Sequence, residues 1–111
     1  MPRSRSAALR ASAPLFAALG DENRLRLVAR LCERGPLSIA KLTEGADVSR
    51  QAVTKHLHVL EEAGIVRGAR DGRASVWELE PRRLDDARRH LEAIASEWDG
   101  AVARLKALVE R

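Results

Sequence analysis

Residues 49–66 read SRQAVTKHLHVLEEAGIV, and they divide into two faces. Val53, Leu57, Leu60 and Ala63 recur at helical spacing, so one side of a helix is buried. The other side, toward the helix start, holds Ser49, Arg50, Gln51, Thr54, Lys55 and His58, with no acid before Glu61. Ser49 caps this helix, because a hydroxyl oxygen accepts from the free N–H groups of the first turn. Gly64 stops it.

Working toward the N-terminus, the chain is clearly punctuated. A first helix is expected from about Ser12 to Leu19, ending at Gly20. Asp21 then caps a second helix, in which Leu25, Val28, Ala29 and Cys32 follow the i, i+3, i+4, i+7 rule and are expected to face inward. Gly35-Pro36 ends it. Ser38 caps a short third helix over 39–44, with Ile39 and Leu42 inward. Residues 45–48, GADV, make a tight connection to the helix at 49.

Beyond Gly64 the period changes. Residues 65–69 and 74–79 are short strand candidates, separated by RDGR. Asp71-Gly72 is a two-residue hairpin signal, and a type I′ turn would need positive φ at both central positions. Pro81 opens a long helix reaching about Glu110. Along it Leu84, Leu91, Trp98 and Leu105 are seven apart. Ala87, Ile94, Ala101 and Leu108 repeat the same spacing with an offset of three. This is an a/d seam. Thirty helical residues span roughly 45 Å, more than a small domain needs for its own core. Leu84, Leu91, Ile94, Trp98, Leu105 and Leu108 are therefore read as a dimer interface; packing within one chain is the alternative. Gly100 interrupts the helix interior at a cost of up to about 1 kcal/mol relative to Ala.

The whole chain sets the bounds. It has 111 residues, enough for one domain with a modest core. Hydrophobic residues make up 45% and charged residues 32%, and Phe16, Trp77 and Trp98 are the only aromatics of the Phe/Trp/Tyr type. Leu, Val, Ile and Ala must carry the fold, and a partner chain would help bury apolar surface. Net charge is +4, which favours a polyanion. With Cys32 as the sole cysteine, and with neither a signal peptide nor a long apolar run, a cytoplasmic, non-membrane protein is expected. The division expected is a flexible basic arm over 1–11, which can also touch DNA, a DNA-binding domain over 12–80 and a dimerisation helix over 81–111.

The order is helix, helix, helix–turn–helix, hairpin, long helix. This is a mainly α fold with a small β-hairpin, a winged helix-turn-helix. A helix of this kind enters the major groove and reads bases with its N-terminal residues. Gln51 and Lys55, four apart, share a face and can reach base edges, with Arg50 and Thr54 beside them and Ser49 as a phosphate donor. His58 belongs to the same polar set. His56 suits a packing role as well as a DNA contact. Arg67, Arg70 and Arg73 of the wing are expected close together at its tip, on phosphates or in a minor groove.

The run ALGDENRLRLVARLCERGPLSIAKL, followed by VSRQAVTKHLHVLEEAGIVRGARDGRASVWEL, resembles the ArsR family of bacterial winged-helix repressors over about residues 13–80. LGDENRLRLV, KHLHVLEEAGIV and the DGR wing tip carry the resemblance. It implies a homodimer that binds a palindromic operator, with the recognition helix at about 50–63 and the wing at about 65–79. The RGPLS turn and Trp98 are most similar to a branch encoded beside lipid-binding or START-like proteins. The metal-sensing members carry ELCVCDL where this chain has PLSIAKL. Ser38 and Ala40 stand where the thiolates would be, so no thiolate site is built there. Cys32 is expected to be a small buried hydrophobe. Other members bind zinc on the last helix. Here Asp86 and His90 offer two ligands with no second histidine nearby, and an ion pair with Arg88 and Arg89 is the simpler expectation.

No P-loop, dinucleotide fingerprint or acid–base set supports an enzyme, and no cofactor is expected. A winged helix used only for protein contacts is the alternative, as is a zinc-responsive repressor. Regulation by a small-molecule effector between the terminal helices is compatible with the sequence, and so is a repressor without an inducer.

Overall fold

The computed structural model describes residues 2–110, except for the side chains of residues 2–6 and 8. Helix α1 is Pro2–Leu19, α2 Glu22–Arg34, α3 Ile39–Glu44 and α4 Arg50–Glu62. Strands β1, Val66–Asp71, and β2, Ala74–Leu79, pair antiparallel, and α5 runs Pro81–Val109. The fold is mainly α with one hairpin and a long C-terminal helix, as the punctuation implies. Among the described residues no helix is long and apolar enough to cross a membrane.

The caps form where the sequence places them. The Asp21 carboxylate accepts from the Arg24 N–H at 3.1 Å, Ser38 Oγ from Lys41 at 3.2 Å and Ser49 Oγ from Ala52 at 3.1 Å. Gly35 and Gly64 take positive φ just beyond α2 and α4. The core is aliphatic. Leu15, Leu42, Val53, Leu57, Leu60, Ile65 and Val66 are its largest fully buried side chains. Leu37 and Trp77 exchange N–H···O bonds of 3.0 and 2.8 Å, which ties the segment after α2 to the wing. Arg30 of α2 donates to the carbonyls of Leu42 and Lys41 at 2.8 and 2.9 Å, satisfying the end of α3. Its guanidinium occupies the space a Cβ at Gly45 would need.

Four expectations are corrected. Helix α1 begins at Pro2, not near Ser12. Proline suits a first helical position and no glycine interrupts the alanine-rich run before Gly20, so the described part of the expected arm is helical. Any DNA contact by Arg3 or Arg5 lies outside the described side chains. Second, α2 buries Leu27, Val28 and Leu31, while Leu25, Ala29 and Cys32 are exposed. Two apolar ladders one residue apart run along this helix, and the one with the larger leucines wins the core. Cys32 is an exposed thiol.

Third, Asp71 pairs with Ala74, so the turn residues are Gly72 and Arg73. Only Gly72 has positive φ. That is the signature of a type II′ turn, with glycine in the first central position. Fourth, Leu84 and Ala87 pack into the chain's own core.

The N–H of Arg24 holds the Asp21 carboxyl below its usual range. Its capping contribution is therefore full above the unfolded value, about 3.9, and is lost as pH falls through the lower folded value. Asp21→Ala should lower the melting temperature at pH 7, with the gap to wild type closing in strong acid. A gap that stayed constant with pH would mean that the carboxylate is not the cap.

Candidate nucleic-acid interface

Helix α4 lies across the core on Val53, Leu57 and Leu60, all fully buried. That rotation turns Arg50, Gln51 and Lys55 outward. All three are exposed, and their side chains make no hydrogen bond or ion pair with the described residues. No acid stands in the first turn. Free N–H groups, the helix dipole and two cations thus point the same way, a surface suited to an anion.

The remaining predicted residues are partly engaged. Ser49 uses its oxygen as the cap and retains its O–H to donate. Thr54 donates its hydroxyl to the Arg50 carbonyl at 2.9 Å. His56 faces α2, with Nδ1 3.4 Å from Arg24 Nη1, so it is a packing residue between two helices. His58 lies 3.3 Å from the Glu61 carboxylate, and its ring meets Trp77 edge-on at 6.0 Å between centroids. It joins α4 to the wing.

The wing arginines separate. Arg67 sits opposite Glu78 in the register, toward the hairpin base, not at the tip. It donates to Glu78 at 2.9 Å and to Glu80 at 2.6 Å, and the hydrogen bond to the Glu78 carboxylate raises its pKa above the ordinary arginine value. Arg70 donates to the Arg73 carbonyl at 3.1 Å. The Arg73 side chain, in the turn, is exposed and unpaired with the described residues.

On α5 the seam is bare beyond the core. Leu91 and Ile94 are about half exposed, Trp98 is 70% exposed and Leu105 62%. Leu108 and Val109 continue the strip. Arg88 and Arg89 both pair with Asp85, whose carboxyl is held low chiefly by its hydrogen bond from Arg88. Asp86 instead stands 3.8 Å from Arg83. This corrects the expected partners of Asp86: Arg88, two residues on, is on another face of the helix, and Arg89, which is spaced for either acid, pairs with Asp85. Among the described residues no group of three His, Cys, Asp or Glu side chains is placed to hold a metal.

Sequence reasoning missed Arg24, Arg30 and Arg83. Each grips a main-chain carbonyl of another helix. Such partners are distant in sequence and have no side-chain signature.

A capped helix with a free basic start, preceded by a tight turn and followed by a hairpin, defines a winged helix-turn-helix protein. The helix-turn-helix domain family matches residues 19–69. A solved ArsR-like transcriptional regulator from Rhodococcus sp. RHA1 is 34% identical, with a TM-score of 0.75 over 92% of this chain and 95% of that one. The HTH-type transcriptional regulator Rv2034 of Mycobacterium tuberculosis is 34% identical over 93 residues, covering 84% of this chain and 83% of its own length. The arsenical resistance operon repressor of Bacillus subtilis is 29% identical over 85 residues, 77% of this chain and 81% of that protein. The chain belongs to the ArsR family of winged helix-turn-helix transcriptional regulators.

Proposed function

We propose that this regulator is a homodimeric repressor that binds a palindromic operator, reading bases with the start of α4 and touching the backbone or minor groove with the wing. The observation that carries this reading is the exposed trio Arg50, Gln51 and Lys55 at a capped helix start. Gln pairs bidentately with adenine, and Lys or Arg donates to guanine. Ser49 adds a phosphate donor, and Arg70 and Arg73 supply charge at the wing. Thr54, His56 and His58 support the surface by shaping the helix and holding it to its neighbours. A second copy covers the seam from Leu91 to Leu108, which one chain leaves in water. Such a regulator works in the cytoplasm, beside the DNA.

The test is fluorescence anisotropy with DNA from upstream of the gene, beside a scrambled duplex, at two salt concentrations. Tight, salt-sensitive and selective binding supports the reading; equal weak binding to both duplexes removes sequence recognition. Gln51→Ala should lose about 1–3 kcal/mol at one base pair and relax specificity there.

The two ends of the wing should behave differently. Arg73→Ala should weaken binding to specific and random DNA alike and reduce the salt slope by about one. Arg67→Ala should leave the slope nearly unchanged, because Glu78 and Glu80 already neutralise that guanidinium. Equal slopes for the two variants would remove Arg73 from the phosphate.

Leu91→Asp alters a side chain already exposed in the single chain, so the variant should fold but remain monomeric by light scattering. A surviving dimer would move the interface off this seam.

A further inference from the structure

A recognition helix must be aimed as well as exposed. In a dimer the two copies of α4 meet the DNA together only if each is held at a fixed angle to the helices that join the subunits. The apolar contacts beneath α4 set its rotation, but helix packing leaves a scatter of about 15–20° in crossing angle. Hydrogen bonds supply direction. Arg24 gives one such link, donating Nε to the Ala18 carbonyl of α1 at 2.5 Å while Nη1 approaches His56. It does not involve α5.

Arg83 does. It stands in the first turn of α5 with its side chain 29% exposed. Its Nε donates to the Ala63 carbonyl, at the C-cap of α4, at 3.1 Å. Its Nη2 donates to the Ala11 carbonyl of α1 at 3.3 Å. Asp86 lies 3.8 Å from Nη1 and balances the charge. One guanidinium therefore joins α1, α4 and α5. Gly64 makes room for it: a Cβ there would lie 3.0 Å from Arg83 Cγ, and φ is +79°. The base-reading residues lie at the opposite end of α4, so this contact has no part in touching DNA.

We infer that Arg83 is a positioning residue that fixes the angle between the recognition helix and the α1–α5 scaffold, and so sets the half-site spacing the dimer accepts. The inference rests on the dimeric operator reading above. The chemistry suits arginine. A planar fork of five donors can reach carbonyls on two helices at once, whereas lysine offers one nitrogen on a flexible stem.

The test uses the full chain and an operator selected by wild type from a randomised duplex pool. A second set of duplexes separates the half-sites by one or two extra base pairs, each moving a half-site by about 3.4 Å and rotating it by roughly 35°. Wild type should prefer the selected spacing by about tenfold or more, the scale of a mismatched base pair. Arg83→Gln should bring the spaced duplexes close to the selected one. Its dimerisation and its penalties for single mismatches within a half-site should match wild type. Arg83→Lys should recover part of the spacing preference.

An unchanged spacing preference in Arg83→Gln overturns the inference. So does a uniform loss of affinity with unchanged ratios, which is what a merely structural arginine would give. Should the glutamine variant fail to fold, the lysine variant carries the same comparison, and a full wild-type ratio in it overturns the inference. Wild type that binds an isolated half-site as tightly as the palindrome would instead sink the dimeric operator reading, which makes the two failures distinguishable.

Discussion

Val53, Leu57 and Leu60 have no solvent exposure, and their burial decides which side of α4 faces outward. Each such side chain contributes about 1.5–3 kcal/mol when fully buried. An exposed ion pair contributes about 0–1 kcal/mol. The apolar stripe therefore sets the rotation of the helix, and the polar residues follow. A rotation of one residue, about 100°, would turn the leucines into water. Arg50, Gln51 and Lys55 are outward because Val53, Leu57 and Leu60 are committed to the core. A non-directional force thus specifies a chemically particular surface, provided that the sequence repeats its apolar residues at the right period.

Among the basic residues are two groups that net charge cannot distinguish. Arg24, Arg30 and Arg83 donate to main-chain carbonyls and fasten helices to one another. Arg67 is enclosed by two carboxylates. The first three guanidiniums fasten the fold, Arg67 is paired at the surface, and none of the four offers much free charge. Arg50, Lys55 and Arg73 have no partner among the described residues and lie at the helix start and the wing turn. The surface proposed to meet a polyanion draws on cations that folding leaves unused; Arg34, Arg82, Arg104 and Lys106 are likewise without a partner among the described residues but lie elsewhere. For such a surface the location of free charge matters more than the total of +4.

What could be read from the residues follows the same logic. Helix α4 and its cap were legible because periodicity, Ser49 and Gly64 all agree. Helix α2 was legible as a helix, but its inward face was not. Leu25, Val28, Ala29 and Cys32 satisfy the same spacing rule as the ladder through Leu27, Val28 and Leu31, and only packing against α1, α4 and β2 chooses between them. The hairpin was legible from Asp71-Gly72, but its register depends on cross-strand pairs such as Arg67 with Glu78, and the turn falls one residue later. Arg67 looked like a wing cation because its partners lie eleven and thirteen residues away. The contact between His56 and Arg24, 32 residues apart, was invisible for the same reason.

Helix α5 changes allegiance along its length. Leu84 and Ala87 belong to the core of their own chain, while the large side chains of the same heptad register from Leu91 onward are half or more exposed. At 29 residues the helix spans about 43 Å, so its second half outruns the globular body. Large exposed apolar side chains are common singly, but a continuous strip is a contact surface. The strip continues a register already anchored in the core, so a second copy packed on it would take up a defined rotation relative to the first. The guanidinium of Arg83 stands where the core-facing half of α5 begins, against the end of α4. One side chain thus links the end of α4 to α1 and to the helix that carries the exposed strip.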